Sequence, residues 1–237
     1  MRILLCLACF LLGLSPLYAN VVITGTRVVY PAQQKEVTVQ LDNVGTSPSL
    51  VQAWIDNGND QVTPDATAVP FVLTPPIFRL DAGKGQTLRL LYTQEPLPQD
   101  RESIFYLNIL DIPPKPNAEN PDTPHNFLQL SIRSRLKLFF RPAGLTPPVA
   151  TAADTLQLNL SGKTLQLHNP TPYYITISKI TLLKDAQTVT VLPQVPMLPP
   201  FGQTSLTLPA SAAAATQAQV HTINDYGGIT ETDILLK

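Results

Sequence analysis

Three histidines, His125, His168 and His221, are the side chains best suited to proton transfer near neutral pH. Their positions show no metal-ligand spacing, and the chain has neither a G-x-S-x-G elbow nor an H-E-x-x-H motif. A serine–histidine–aspartate triad assembles in space, so a hydrolase with a dispersed triad stays open as one alternative. Gly83, Lys84 and Gly85 superficially suggest a phosphate loop, but the Walker spacing is wrong and a β-turn accounts for them. Cys6 and Cys9 both fall within residues 1–19. There Arg2 precedes an apolar run of about a dozen residues, too short to span a bilayer, and Ser15 and Pro16 break the run before Ala19. That pattern predicts a secretory signal peptide, cleaved to leave a mature chain without cysteine. Thiolate nucleophiles, disulfides and thiolate metal sites are then excluded. No metal and no cofactor is expected.

Binding is the remaining use for charged and apolar side chains, and it depends on the elements that place them. The 237 residues hold 44% hydrophobic and 14% charged residues, enough apolar material for packed cores. Sixteen basic residues against 17 acidic ones give a net charge of -1, so no basic field draws nucleic acid. The 24 prolines outnumber the 11 glycines and scatter between apolar runs, which implies edges and turns rather than helices. Period-2 runs recur: 37–41, 50–55 with Trp54, 86–92, 103–112 and 127–140 in the first half. In the second half they cover 155–160, 164–167, 174–183, 189–192, 204–208, 220–223 and 229–236. Turn residues separate them at the spacing of sandwich folds. The alanine run 212–215 reads as a loop, and 115–126 as an irregular loop inside the first domain. The expected fold is all-β: two immunoglobulin-like β-sandwiches, residues 20–142 and 149–237, joined by a hinge at 143–148.

Specific strings sharpen this. Residues 97–113 (LPQDRESIFYLNILDIP) closely resemble the signature of periplasmic pilus-assembly chaperones of the PapD type. Residues 25–30 (GTRVVY), 52–56 (QAWID), 74–80 (TPPIFRL), 136–142 (LKLFFRP), 169–174 (NPTPYY) and 223–228 (INDYGG) resemble the same family, collinearly across both halves. The resemblance implies two sandwiches set like a boomerang and a periplasmic chaperone that is not an enzyme. Its partners would be pilus subunits, which lack a last strand, and an outer-membrane usher. The chaperone would lend a strand to the subunit groove, protecting an edge that otherwise aggregates.

The resemblance also implies roles for single residues. Arg27 and Lys137 would grip the subunit's C-terminal carboxylate by charge-assisted hydrogen bonds. Leu128, Leu130 and Ile132 would enter the subunit groove; period-2 spacing points them one way. Leu136, Leu138 and Phe140 share that parity, so a regular strand would send all six inward unless a bulge or twist near Ser134 divides it. Arg79, Glu102 and Asp225 would form a charge network between the domains. His125 and Asn126 are candidate contacts to subunit or usher. A long-loop branch of the family carries a cysteine pair before the donated strand; its absence favours the short-loop branch. An exposed leucine row would favour self-association of the free protein. The alternatives are a secreted two-sandwich adhesin and a chaperone for a client that is not a pilus subunit.

Overall fold

The computed structural model describes residues 20–61, 63–64, 68–115 and 128–236. The expectations for the leader at 1–19 and for most of the loop at 115–126, including His125 and Asn126, lie outside the described residues. The first domain holds β1 (Val21–Ile23), β2 (Arg27–Pro31), β3 (Val37–Asn43), β4 (Ser49–Asp56), β5 (Phe71–Thr74), β6 (Ile77–Leu80), β7 (Gly85–Tyr92), β8 (Ser103–Ile112) and β9 (Ile132–Arg141). One sheet runs β1-β3-β7-β5, the other β2-β9-β8-β4-β6. The chain changes sheet between β1 and β2, where Gly25 takes a φ of 96° that other residues rarely adopt.

Alternation builds the core. Val51, Ala53 and Ile55 of β4, Phe105, Leu107 and Ile109 of β8, and Leu136, Leu138 and Phe140 of β9 are buried between the sheets. They meet Val39, Leu41, Leu88 and Leu90 from the facing sheet. Tyr30, Phe71, Tyr92, Phe105 and Phe140 form an aromatic cluster with centroid spacings of 4.5 to 6.4 Å. The β8–β9 ladder is antiparallel and continuous, from Ser103 opposite Phe140 to Asp111 opposite Ile132.

After β9 come a short helix α1 (Val149–Ala152), β10 (Gln157–Ser161), β11 (Thr164–His168), β12 (Ile177–Lys184), β13 (Gln187–Leu192), β14 (Gln203–Thr207), β15 (Gln217–Ile223) and β16 (Ile229–Leu235). Their sheets, β10-β11-β14 and β13-β12-β15-β16, enclose a second core around Leu158, Leu165, Leu167, Ile180, Leu182, Leu198 and Val220. The alanine run differs from expectation. Ala210–Ala214 is a 3-10 helix after Pro209, and its Ala212 is fully buried, because alanine fits where a larger side chain would part the sheets.

The segment 143–148 is held rather than free. Tyr173 Oη lies 3.2 Å from the Leu145 carbonyl oxygen and 2.9 Å from that of Pro147. Buried Asn169 fixes this tyrosine's turn: its amide donates to the Tyr173 and Pro199 carbonyls, and its oxygen accepts from Thr171. The string 169–174 is thus a structural turn that presents Tyr173 and Tyr174 to the first domain.

Candidate functional site

The site begins at an incomplete edge. β2 pairs with β9 in parallel, and only from Arg27 opposite Lys137 to Pro31 opposite Arg141. Residues 132–136 of β9 therefore have β8 on one side and no strand on the other, among the described residues. Apolar side chains line the same end. Leu128, Leu130 and Ile132 are 82%, 63% and 48% exposed, whereas Leu136 and Leu138 are 7% and 0%. The expected bulge near Ser134 is absent, since the β8–β9 register never shifts. One parity runs through, and the row leaves the core because the core ends: opposite Ile132 stands Asp111, whose carboxylate accepts from Val21 N at 3.3 Å.

The open edge stops at two cations. Arg27 and Lys137 are register partners, so their side chains share a face. Arg27 Nη1 donates to the Ile223 carbonyl (2.9 Å), and Lys137 Nζ to Thr176 Oγ1 (3.3 Å), both in the second domain. Neither forms an ion pair among the described residues, and the buried Arg27 Nε finds no acceptor. Burial lowers the Arg27 pKa, with Asp225 and Glu102 offsetting part of the effect. Burial, and then the neighbouring Arg27 charge, lowers that of Lys137. Two half-desolvated like charges side by side favour an anion between them.

Behind them the domains meet through Arg141. Its Nε donates to Glu102 Oε1 (2.7 Å), and Nη1 and Nη2 donate to the two oxygens of Asp225 (2.6 and 2.9 Å). Glu102 Oε2 accepts from Tyr174 N at 2.8 Å. Burial works against the Arg141 charge, but both carboxylates outweigh it and hold its pKa above the ordinary value. Burial pushes Glu102 upward, and Arg141 and the Tyr174 amide only partly counter that. Gly227 shows how closely the domains approach: a Cβ there would lie 2.6 Å from Thr26 Oγ1.

Residues 20–146 match the family described as pili and flagellar-assembly chaperone, PapD N-terminal domain, and residues 151–234 match the PapD C-terminal domain of pili assembly chaperones. The chain belongs to the PapD family. It is 45% identical to the chaperone protein FimB/FhaD of Bordetella pertussis over 94% of this chain and 91% of that one. The crystal structure of the YadV chaperone superposes with a TM-score of 0.76 at 39% identity, covering 92% of this chain and all of that one. The SafB chaperone, solved in complex with the SafA pilin of Salmonella enterica, gives a TM-score of 0.76 at 28% identity over 94% and 99% of the chains.

In this PapD-family chain the expected charge set needs one correction. Glu102 and Asp225 come together, but Arg79 does not join them. It lies on β6, at the far edge of the five-stranded sheet, exposed and paired with Asp81 (Nε–Oδ1 2.7 Å). The bridging cation is Arg141, which shares the strand parity of Lys137 and hence the cleft face; that parity was the available signal. Thr176 had no signal in sequence, and Tyr174 lay in the family string 169–174 without a role attached to it, because both enter the site through the second domain's approach.

Proposed function

We propose that this chain is a periplasmic, non-catalytic chaperone that lends the first part of β9 to a pilus subunit, shields it from aggregation and passes it to an outer-membrane usher. One observation carries the reading: the lane left empty beside residues 132–136 ends at Arg27 and Lys137. A strand entering that lane parallel to β9 would continue the line of β2, with its C-terminus facing both cations. Entering antiparallel, it would bring an ammonium group there instead, so charge selects the parallel direction. A carboxylate fixed at Arg27 and Lys137 sets the register, and a one-residue slip would turn every client side chain to the wrong face. Leu128, Leu130 and Ile132 then fill the client's groove. A pilin bound to a chaperone of this fold, SafA with SafB, supports a pilin as client.

The test is co-purification of a co-expressed pilus subunit from a periplasmic extract, comparing wild type with the Arg27→Ala, Lys137→Ala double variant. A one-to-one complex present in the first and lost in the second is expected. Equal capture by both would remove the carboxylate anchor, and no capture by wild type would turn the assignment toward another client.

A further inference from the structure

Over residues 132–136 β9 is an edge strand whose inner row runs out of its own core. Such a segment frays unless something holds it. Apolar packing on the inner face cannot be the restraint, because it would cover the row that has to stay available. Beyond the backbone ladder to β8, the restraint must therefore act on the opposite face.

That face carries an unusual set of contacts. Asp56, at the end of β4, is fully buried although it points away from the core. Arg135 of β9 donates to both its oxygens (Nη2–Oδ1 2.6 Å, Nε–Oδ2 3.2 Å). Asn108 of β8 and the Gly58 amide complete its shell at 2.6 and 2.7 Å. Arg133, nearer the exposed leucines, donates through Nε and Nη2 to Asn108 Oδ1 (2.9 and 2.7 Å) and through Nη1 to the Asp60 carbonyl (2.8 Å). The guanidinium of Arg135 lies 3.7 Å from the Tyr106 ring centroid, and that of Arg133 5.2 Å from the Trp54 ring. In the ladder Arg135 stands opposite Asn108 and Arg133 opposite Leu110, so each arginine reaches back toward the cleft. Three strands are thereby tied across the base of the exposed segment.

We infer that Asp56, Asn108, Arg133 and Arg135 form a clamp that positions the donated part of β9, holding it extended and in the sheet plane while its apolar row stays free for the client. Asp56 and Asn108 touch no client; they act through the two arginines. The inference rests on the reading of β9 as the lent strand.

Hydrogen exchange and capture together test it. Arg133→Gln, at a side chain only 32% exposed yet outside the core, is expected to fold normally. Exchange of the residue 132–136 amides that bond β8 should rise about tenfold, the change that ~1.4 kcal/mol of local stability produces. Exchange in β3, β4 and β7 and the thermal midpoint should stay put, while capture of a co-expressed pilus subunit falls several-fold. Asp56→Asn should do the same more strongly; if it fails to fold, Arg133→Gln decides alone. Arg27→Ala serves as the contrast, losing capture with exchange at 132–136 unchanged. Unchanged exchange in Arg133→Gln, or a rise spread over the whole sheet with a lower midpoint, would overturn the clamp. Leu130→Glu separates the two readings. Normal capture by that variant removes strand donation itself. Lost capture there, with unaltered exchange in Arg133→Gln, removes the clamp and leaves donation standing.

Discussion

Lys137 keeps an ammonium group half-buried beside a guanidinium, with a threonine hydroxyl as its hydrogen-bond partner. Its pKa lies below the ordinary lysine value, so it loses its proton at lower pH than an exposed lysine. Client capture should therefore weaken at alkaline pH, below 10.5, while Lys137→Arg holds capture through that range because arginine stays charged. Stability moves the other way. Between the depressed folded pKa and the unfolded value, the unfolded chain holds the proton and the native one does not, so Lys137 makes the free protein more stable as pH rises there. Titrating capture and urea midpoint in parallel checks both signs; capture that is flat to pH 10.5 in wild type would remove Lys137 from the anchor. At this scale the placement of Lys137 was legible, where a strand period and a family string coincide, whereas Arg27 was marked by its family string alone and paired with Lys137 only in the fold. It misled at Arg79, whose charge is already met by Asp81 two residues on, the spacing that places both on one strand face. Arg141 carries the bridging role because it lies two steps of period 2 beyond Lys137 and one beyond Phe139, on the same face as both.

In the proposed function the inward parity of β9, carried on to Leu130 just before it, serves two purposes, and substitutions along this row should separate them. Leu130→Glu places a charge on a 63%-exposed side chain, so the urea midpoint should barely move while capture disappears, because the charge would have to enter an apolar groove. Leu138→Ala removes a fully buried side chain from the same row and should cost about 3 kcal/mol of stability. If Leu130→Glu were as destabilising as Leu138→Ala in urea titrations, the exposed row would belong to the core and the division would fail. Alternation alone could not reveal where the row leaves the core, because period 2 reports direction and not how far the facing sheet extends. The expected bulge was a local answer to a question settled by Asp111 and Val21 on other strands. The long strands β4, β8 and β12 were legible from their runs of alternation. β1, β5 and β6, of three or four residues each, carry too few repeats to show any period, and tertiary pairing alone defines them.

The two sandwiches are coupled through few side chains, which makes their relative placement testable. Arg141 joins Glu102 of the first domain to Asp225 of the second, Glu102 also accepts from the Tyr174 amide, and Glu102 N donates to the Pro172 carbonyl. Arg27 and Lys137 lean on the second domain as well, so the same joint sets the geometry of the proposed anchor. Domain cores were legible in sequence as two groups of strands, but of the joint only Glu102 and Asp225 were marked, through family strings, and the cation between them was not, since it is fixed only once residues distant in sequence meet. Arg141→Met should remove the bridge while keeping the stem's packing. It leaves Glu102 buried without its ion-pair partner, costing about 3 kcal/mol at neutral pH. Glu102 is already pushed up by burial, and without Arg141 its pKa rises further. A carboxyl whose folded pKa exceeds its unfolded one stabilises the fold below the unfolded pKa and loses that contribution as pH rises through the folded one. The variant should therefore recover stability as pH falls from 8 toward 5, whereas Arg79→Ala, at an exposed pair, should match wild type throughout. Calorimetry at both pH values checks this, with the single transition expected of coupled domains splitting into two for Arg141→Met at pH 8. One undivided transition there, with no gain on acidification, would mean that packing of Phe139 on Tyr174 and the clasp of Tyr173 on 143–148, and not the charge bridge, hold the domains together.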